Sequence, residues 1–116
     1  MIELRRYQRA PLDVPVEFLP RDPALVEPRE QRQTGRSKDI SVGGMFVITP
    51  NPLPFGTELV VYIRLPGHRN EFALPGVVRW SRAGDGMGVQ FGLMGARETH
   101  AITELSNFRT RFDSLP

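Results

Sequence analysis

Apolar and polar residues alternate through VPVEFLP, residues 14–20, with the two-residue period of a strand that buries one face. Pro11, Pro15 and Pro20 bracket this stretch and suit a sheet edge or strand ends, where a missing N–H costs nothing. RDPALVEPREQRQTG, beginning at Arg21, is charged and proline-bearing without periodicity, and predicts a long surface loop over residues 21–33. A second strand is expected from about Thr34 to Asp39, and GMFVIT, ending at Thr49, gives a third. The turn cluster PNPLPFG precedes TELVVYIRLP, a long strand rich in β-branched and aromatic residues. GHRN makes the next turn. EFALPGVVRWSR is strand again, with a bend or bulge expected at Pro75-Gly76, and AGDG leads into MGVQFGL.

After Gly95 the period lengthens. Ala101, Ile102, Leu105, Phe108 and Phe112 recur at three- and four-residue steps on a polar background, the spacing of one amphipathic helix. Short antiparallel strands with regular turns followed by one helix predict a mainly β fold: a small six-stranded antiparallel β-barrel whose open side the C-terminal helix covers. A chain of 116 residues with 40% hydrophobic content supports a single core, hence one domain.

Composition removes several function classes. There is no cysteine, so disulfides, thiolate chemistry and Cys-based metal sites are excluded. His68, in the turn PGHRN, and His100, in the polar helical stretch, form no ligand set and are read as solvated. No apolar run approaches the ~20 residues of a membrane span, and MIELRRYQR lacks a secretory h-region, so a cytoplasmic protein without membrane insertion is expected. Ser41 has no evident histidine partner, Asp85, Glu98 and Glu104 show no catalytic pairing, and no phosphate-loop glycine motif is present; no enzyme and no cofactor are predicted.

Two motifs remain. Fifteen basic residues face thirteen acids, and Lys38 is the sole lysine. Arginine offers a planar donor fork matched to phosphate and to the guanine O6/N7 edge, which lysine lacks. Arg5, Arg6 and Arg9 crowd just ahead of the first strand, in RRYQRAPLDVPV. The second motif, DISVGG from Asp39 to Gly44, places an acid, a hydroxyl and two glycines before an apolar run. A turn explains it, since glycine supplies positive φ freely and Asp or Ser caps turns locally.

Taken together, the motifs resemble the signature of the PilZ domain family, whose members bind the bacterial second messenger cyclic di-GMP. Arg5 and Arg9 meet its RxxxR pattern, and Asp39, Ser41 and Gly44 its (D/N)xSxxG pattern; the likeness extends from about Arg5 to Phe112. What the resemblance implies is a stand-alone cyclic di-GMP receptor. Residues 1–12 would form a flexible ligand-binding arm, and residues 13–116 the barrel with its helix. Arg5, Arg6 and Arg9 would supply bonds to phosphate and guanine, or stack on a base. Asp39 would accept from guanine N1–H and N2–H2, Ser41 would add a bond beside it, and Gly43 and Gly44 would let the backbone approach. Binding would order the arm, and an unidentified protein of the motility, pilus or polysaccharide machinery would read the altered surface. Leu4, just before RxxxR, offers no guanidinium and favours one bound nucleotide, although Arg6 leaves two open.

The remaining aromatics and arginines have ordinary explanations. Trp80 could offer a stacking platform for a base, but its alternation with Arg79 and Ser81 assigns it to barrel packing, and Arg79 and Arg82 are assigned to a solvated strand edge over ligand contact. Tyr7 would anchor the arm. Two alternatives stay open: a small barrel binding single-stranded nucleic acid, and a nucleotide-independent protein-interaction module. A net charge of +2 is a thin footprint for a polyanion, so a nucleic-acid polymer is not the expected partner.

Overall fold

The computed structural model describes residues 9–21 and 31–113, the side chains of 106–113 excepted. Its strands are β1 (Ala10–Pro11), β2 (Pro15–Pro20), β3 (Gln33–Ser41), β4 (Gly44–Ile48), β5 (Glu58–Ile63), β6 (Phe72–Arg82) and β7 (Gly86–Phe91); helix α1 spans Ala96–Asp113. All pairings are antiparallel, and β3 joins both β2 and β4, so the six longer strands close in the order β3-β2-β5-β6-β7-β4. Closure leaves no free edge in that ring. The expected six-stranded barrel with a terminal helix is therefore the observed architecture, with β1 as a two-residue addition beside β2 on the same side of β3.

The alternating patterns fill the interior. Val16 and Phe18 of β2, Met45 and Val47 of β4, Leu59, Val61 and Ile63 of β5, Phe72, Leu74 and Val78 of β6, and Met87 and Val89 of β7 are all buried. From α1, Ala101 and Ile102 are buried in the same core and Leu105 packs against it. The helix lies against β1 and β3, and Arg97 stacks on Phe72 with its guanidinium 4.6 Å from the ring centre. His68 differs from its expectation: it is half-buried, edge-on to Phe72 at 5.1 Å between ring centres. His100 is exposed and pairs with Glu104 at 3.2 Å.

Residues 22–30, most of the expected loop, lie outside the described residues; its far end is firmly tied. The Arg32 guanidinium sits 3.4 Å from the centre of the Tyr62 ring and bonds Glu71 at 2.9 Å and Glu17 at 3.3 Å. Burial opposes the Arg32 charge, but the bonds to Glu71 and Glu17 outweigh it and raise its pKa above the ordinary arginine value.

Candidate functional site

Two β-bulges decide which side chains face outward. In β3, Ser37 pairs with Val47 but Asp39 pairs with Phe46, which makes Lys38 an extra residue. Ser37 points inward, so strict alternation would send Asp39 inward too. The bulge instead turns Asp39 out and Ile40 into the core. In β6, Val78 pairs with Val89 while Trp80 pairs with Gly88, and Arg79 is the extra residue. Trp80, expected in the barrel packing, is thus rotated onto the outer face with 45% of its surface exposed. The register shift lies at Arg79 and not at Pro75-Gly76, where the pairing of β5 with β6 runs unbroken.

Cross-strand register then lines up one outward row: Pro11 opposite Asp39, Asp39 opposite Phe46, Phe46 opposite Gly88, and Gly88 opposite Trp80. The Phe46 and Trp80 rings meet at 5.4 Å between centres, tilted by 45°. The glycine at 86 leaves room for the Phe46 ring, since a Cβ there would lie 2.9 Å from it, whereas one on Gly88 would make ordinary contact with the Trp80 Cβ at 3.5 Å. The Lys38 ammonium stands 5.7 Å from the Phe46 ring centre. At the other end of the row, Arg9 Nη1 donates to Asp39 Oδ1 at 2.8 Å, with about a quarter of each side chain exposed.

Arg9 is thereby brought onto the barrel beside Asp39, as the two motifs anticipate. The arm expected over residues 1–12 is already secured from Ala10 onward: Ala10 and Leu12 are buried, and β1 pairs with β3. Arg5, Arg6, Leu4 and Tyr7 lie outside the described residues. Ser41, expected to add a bond beside Asp39, is buried. It is 2% exposed, its Oγ accepting from the Gly43 N–H at 3.1 Å and donating to the Gly44 carbonyl at 3.5 Å. Gly43 is also committed through its carbonyl, which accepts from the Phe91 N–H at 2.9 Å. Gly44 is buried and pairs with Gln90; a Cβ there would stand 2.2 Å from the Val89 carbonyl oxygen. Neither Gly43 nor Gly44 is among the positive-φ glycines of the described residues. The second glycine is therefore required by close strand approach, not by turn conformation.

Arg79 and Arg82 match their expectation as exposed, solvated residues, bonding Gln90 at 2.8 Å and Asp85 at 3.2 Å respectively. Phe46 is the residue of this row that sequence reasoning missed, and Trp80 the one it placed in the barrel packing. The signal that reveals them, a bulge in each strand, is one extra residue inside an uninterrupted β-type pattern. Among the described residues there is no cluster of His, Asp or Glu able to hold a metal ion, and no helix long and apolar enough to cross a membrane.

Comparison with known proteins decides the family: the PilZ domain model matches residues 3–108. The chain belongs to the PilZ domain family. This PilZ domain is 37% identical over 93 residues to the cellulose synthase catalytic subunit [UDP-forming] of Xanthomonas axonopodis pv. citri, covering 79% of this chain but only 12% of that enzyme. Among solved structures it resembles the inhibitor of motility MotI/DgrA of Bacillus subtilis, with a TM-score of 0.71 and 23% identity over 98% of this chain and 55% of the other. The PilZ domain of CeSA from a cellulose-synthesizing bacterium gives 0.60 at 23% identity, covering 88% of this chain and 97% of that one. The K. pneumonia MrkH–c-di-GMP complex gives 0.67 at 16% identity, covering 98% and 55%. At these identities the structural likenesses establish a shared fold.

Proposed function

We propose that this PilZ domain is a cyclic di-GMP receptor whose ligand lies on the outward row between Arg9 and Trp80, and that a protein partner reads the bound state. The observation that carries this is the placement of a guanidinium, a carboxylate and a half-exposed indole on one face. Each matches a part of the ligand. Asp39 accepts from guanine N1–H and N2–H2; Arg9 donates to phosphate or to the guanine O6/N7 edge; Trp80 offers a flat ring for stacking. Arg5 and Arg6, four and three residues before Arg9, bring further cations for the two phosphates. Ser41 and Gly43 then act by shaping the turn beside Asp39, and Gly44 by letting β4 approach β7. The recorded c-di-GMP complex of MrkH, which shares the fold, supports the choice of ligand.

The Arg9–Asp39 pair does not stand in the way. A part-exposed ion pair is worth about 1 kcal/mol or less, whereas hydrogen bonds made by charged groups contribute roughly 1.5–3 kcal/mol each, and the ligand offers such bonds to both Arg9 and Asp39. Exchange of partners on binding is therefore favourable. For the readout, the likeness to a motility inhibitor and to a cellulose synthase supports a partner in motility or polysaccharide export.

Trp80 is the sole tryptophan and provides the test. Its fluorescence, titrated with cyclic di-GMP, should quench or shift saturably, and much less with GMP or a short single-stranded oligonucleotide. Unchanged emission up to millimolar cyclic di-GMP would reject the placement. A response to the oligonucleotide that collapses with added salt would favour polymer binding instead.

A further inference from the structure

The segment bearing Arg9 is seated on β3 by backbone pairing and by one buried side chain. Between β1 and β2 the chain turns a corner at Leu12-Asp13-Val14, three residues set against only Ser37 and Lys38 of β3, since Pro11 pairs with Asp39 and Pro15 with Arg36. Such a mismatch leaves backbone groups that regular pairing cannot satisfy. Ser37 resolves it. Its side chain is buried, at 1% exposure, and its hydroxyl donates to the Leu12 carbonyl while accepting from the Val14 N–H at 3.0 Å. The Ser37 N–H donates to the Val14 carbonyl at 2.9 Å, and the Leu12 N–H to the Lys38 carbonyl at 3.1 Å. Neither motif includes Ser37.

From this geometry we infer that Ser37 is a positioning residue for the ligand site: its hydroxyl fixes the corner at residues 12–14 and so sets where Arg9 lands relative to Asp39. The inference rests on the proposed ligand for what Arg9 does, though not for how Arg9 is held. The other side chain that bridges the corner is Arg36, whose Nε donates to Asp13 Oδ1 at 2.7 Å with 54% and 80% of the side chains exposed, where water and salt weaken it. The buried hydroxyl has no competing solvent. It is also rigid in a way an arginine is not, because it acts on backbone atoms three to five residues from Arg9.

The test uses the full chain with Ser37→Ala, which adds no atom to the core, and Ser37→Thr, which restores the hydroxyl. Without ligand, the Leu12 and Val14 amides of Ser37→Ala should exchange at least tenfold faster than wild type, with Val61 and Leu74 in β5 and β6 unchanged. Cyclic di-GMP affinity should fall at least fivefold in Ser37→Ala and recover in Ser37→Thr when that variant folds. In an Arg9→Ala background, Ser37→Ala should cost little more, because the residue it positions is gone. Wild-type exchange at Leu12 and Val14 would overturn the inference, as would an equal affinity loss with and without Arg9. If wild type binds no cyclic di-GMP, the proposed ligand fails, while exchange and the Arg9 guanidinium NMR signal, which should shift in Ser37→Ala, still decide the seating.

Discussion

Replacing Gly44 by alanine puts a methyl group where the β7 backbone already lies. The added Cβ would be 2.2 Å from the Val89 carbonyl oxygen and 3.3 Å from its carbon, against the ~3.3 Å at which carbon and carbonyl oxygen come into contact. The overlap is about 1 Å, and no side chain can rotate away to relieve it, because both partners are backbone. β4 must move from β7, at the end of the ladder where Gly44 pairs with Gln90 and Ser41 with Gly44. Overpacking of this kind costs about 1–3 kcal/mol, and each ladder hydrogen bond lost adds about 1 kcal/mol. A total near 3 kcal/mol would lower Tm by about 12 °C in a domain of this size. Urea unfolding followed by far-ultraviolet circular dichroism measures it, with Gly92→Ala as control. There the added Cβ finds its nearest neighbour at 3.8 Å, and a change of no more than ~0.5 kcal/mol is expected. A Gly44→Ala protein as stable as Gly92→Ala would refute the close-approach argument and return Gly44 to the ligand.

Other consequences can be measured alongside. Phe46→Ala removes the ring against which Trp80 leans, so Trp80 emission in the free protein should shift red while the fold persists; an unshifted spectrum would deny the pair a role in holding the indole. Arg32→Met keeps volume but leaves Glu17 and Glu71 facing each other over Tyr62, and should cost about 2 kcal/mol in urea unfolding; a neutral result would mean the cluster is ornamental. Asp13→Ala, breaking the exposed pair to Arg36, should cost no more than ~0.5 kcal/mol and lose even that in high salt.

Much of this architecture is readable from residue order, because burial imposes a period that β2, β4, β5 and β7 follow. VPVEFLP, TELVVYIRLP and MGVQFGL each alternate, and Val16, Phe18, Leu59, Val61, Met87 and Val89 are where alternation puts them. The helix was legible for the same reason, Ala101 and Ile102 being buried and Leu105 packed on the core. What escaped is what breaks the period. The bulges at Lys38 and Arg79 reverse the faces of Asp39 and Trp80, and KDIS or VRWS looks the same with or without an extra residue. Residue type alone suits the Ser41 hydroxyl and the Gly44 backbone to a ligand; their engagement with the turn and with β7 depends on which strands meet, which only the closed ring reveals. Ser37 is a stronger case, since a serine in a polar strand carries no signal until its neighbours across the sheet are known.

The placement of the ligand at Arg9 and Asp39 is tested most directly by titration calorimetry of cyclic di-GMP into the wild-type chain, Arg9→Ala, and Arg64→Ala, an exposed arginine between β5 and the next turn. Saturable heat for wild type and Arg64→Ala, with Arg9→Ala at least tenfold weaker, is the predicted result. No heat from the wild type, or equal losses in the two arginine variants, would contradict it.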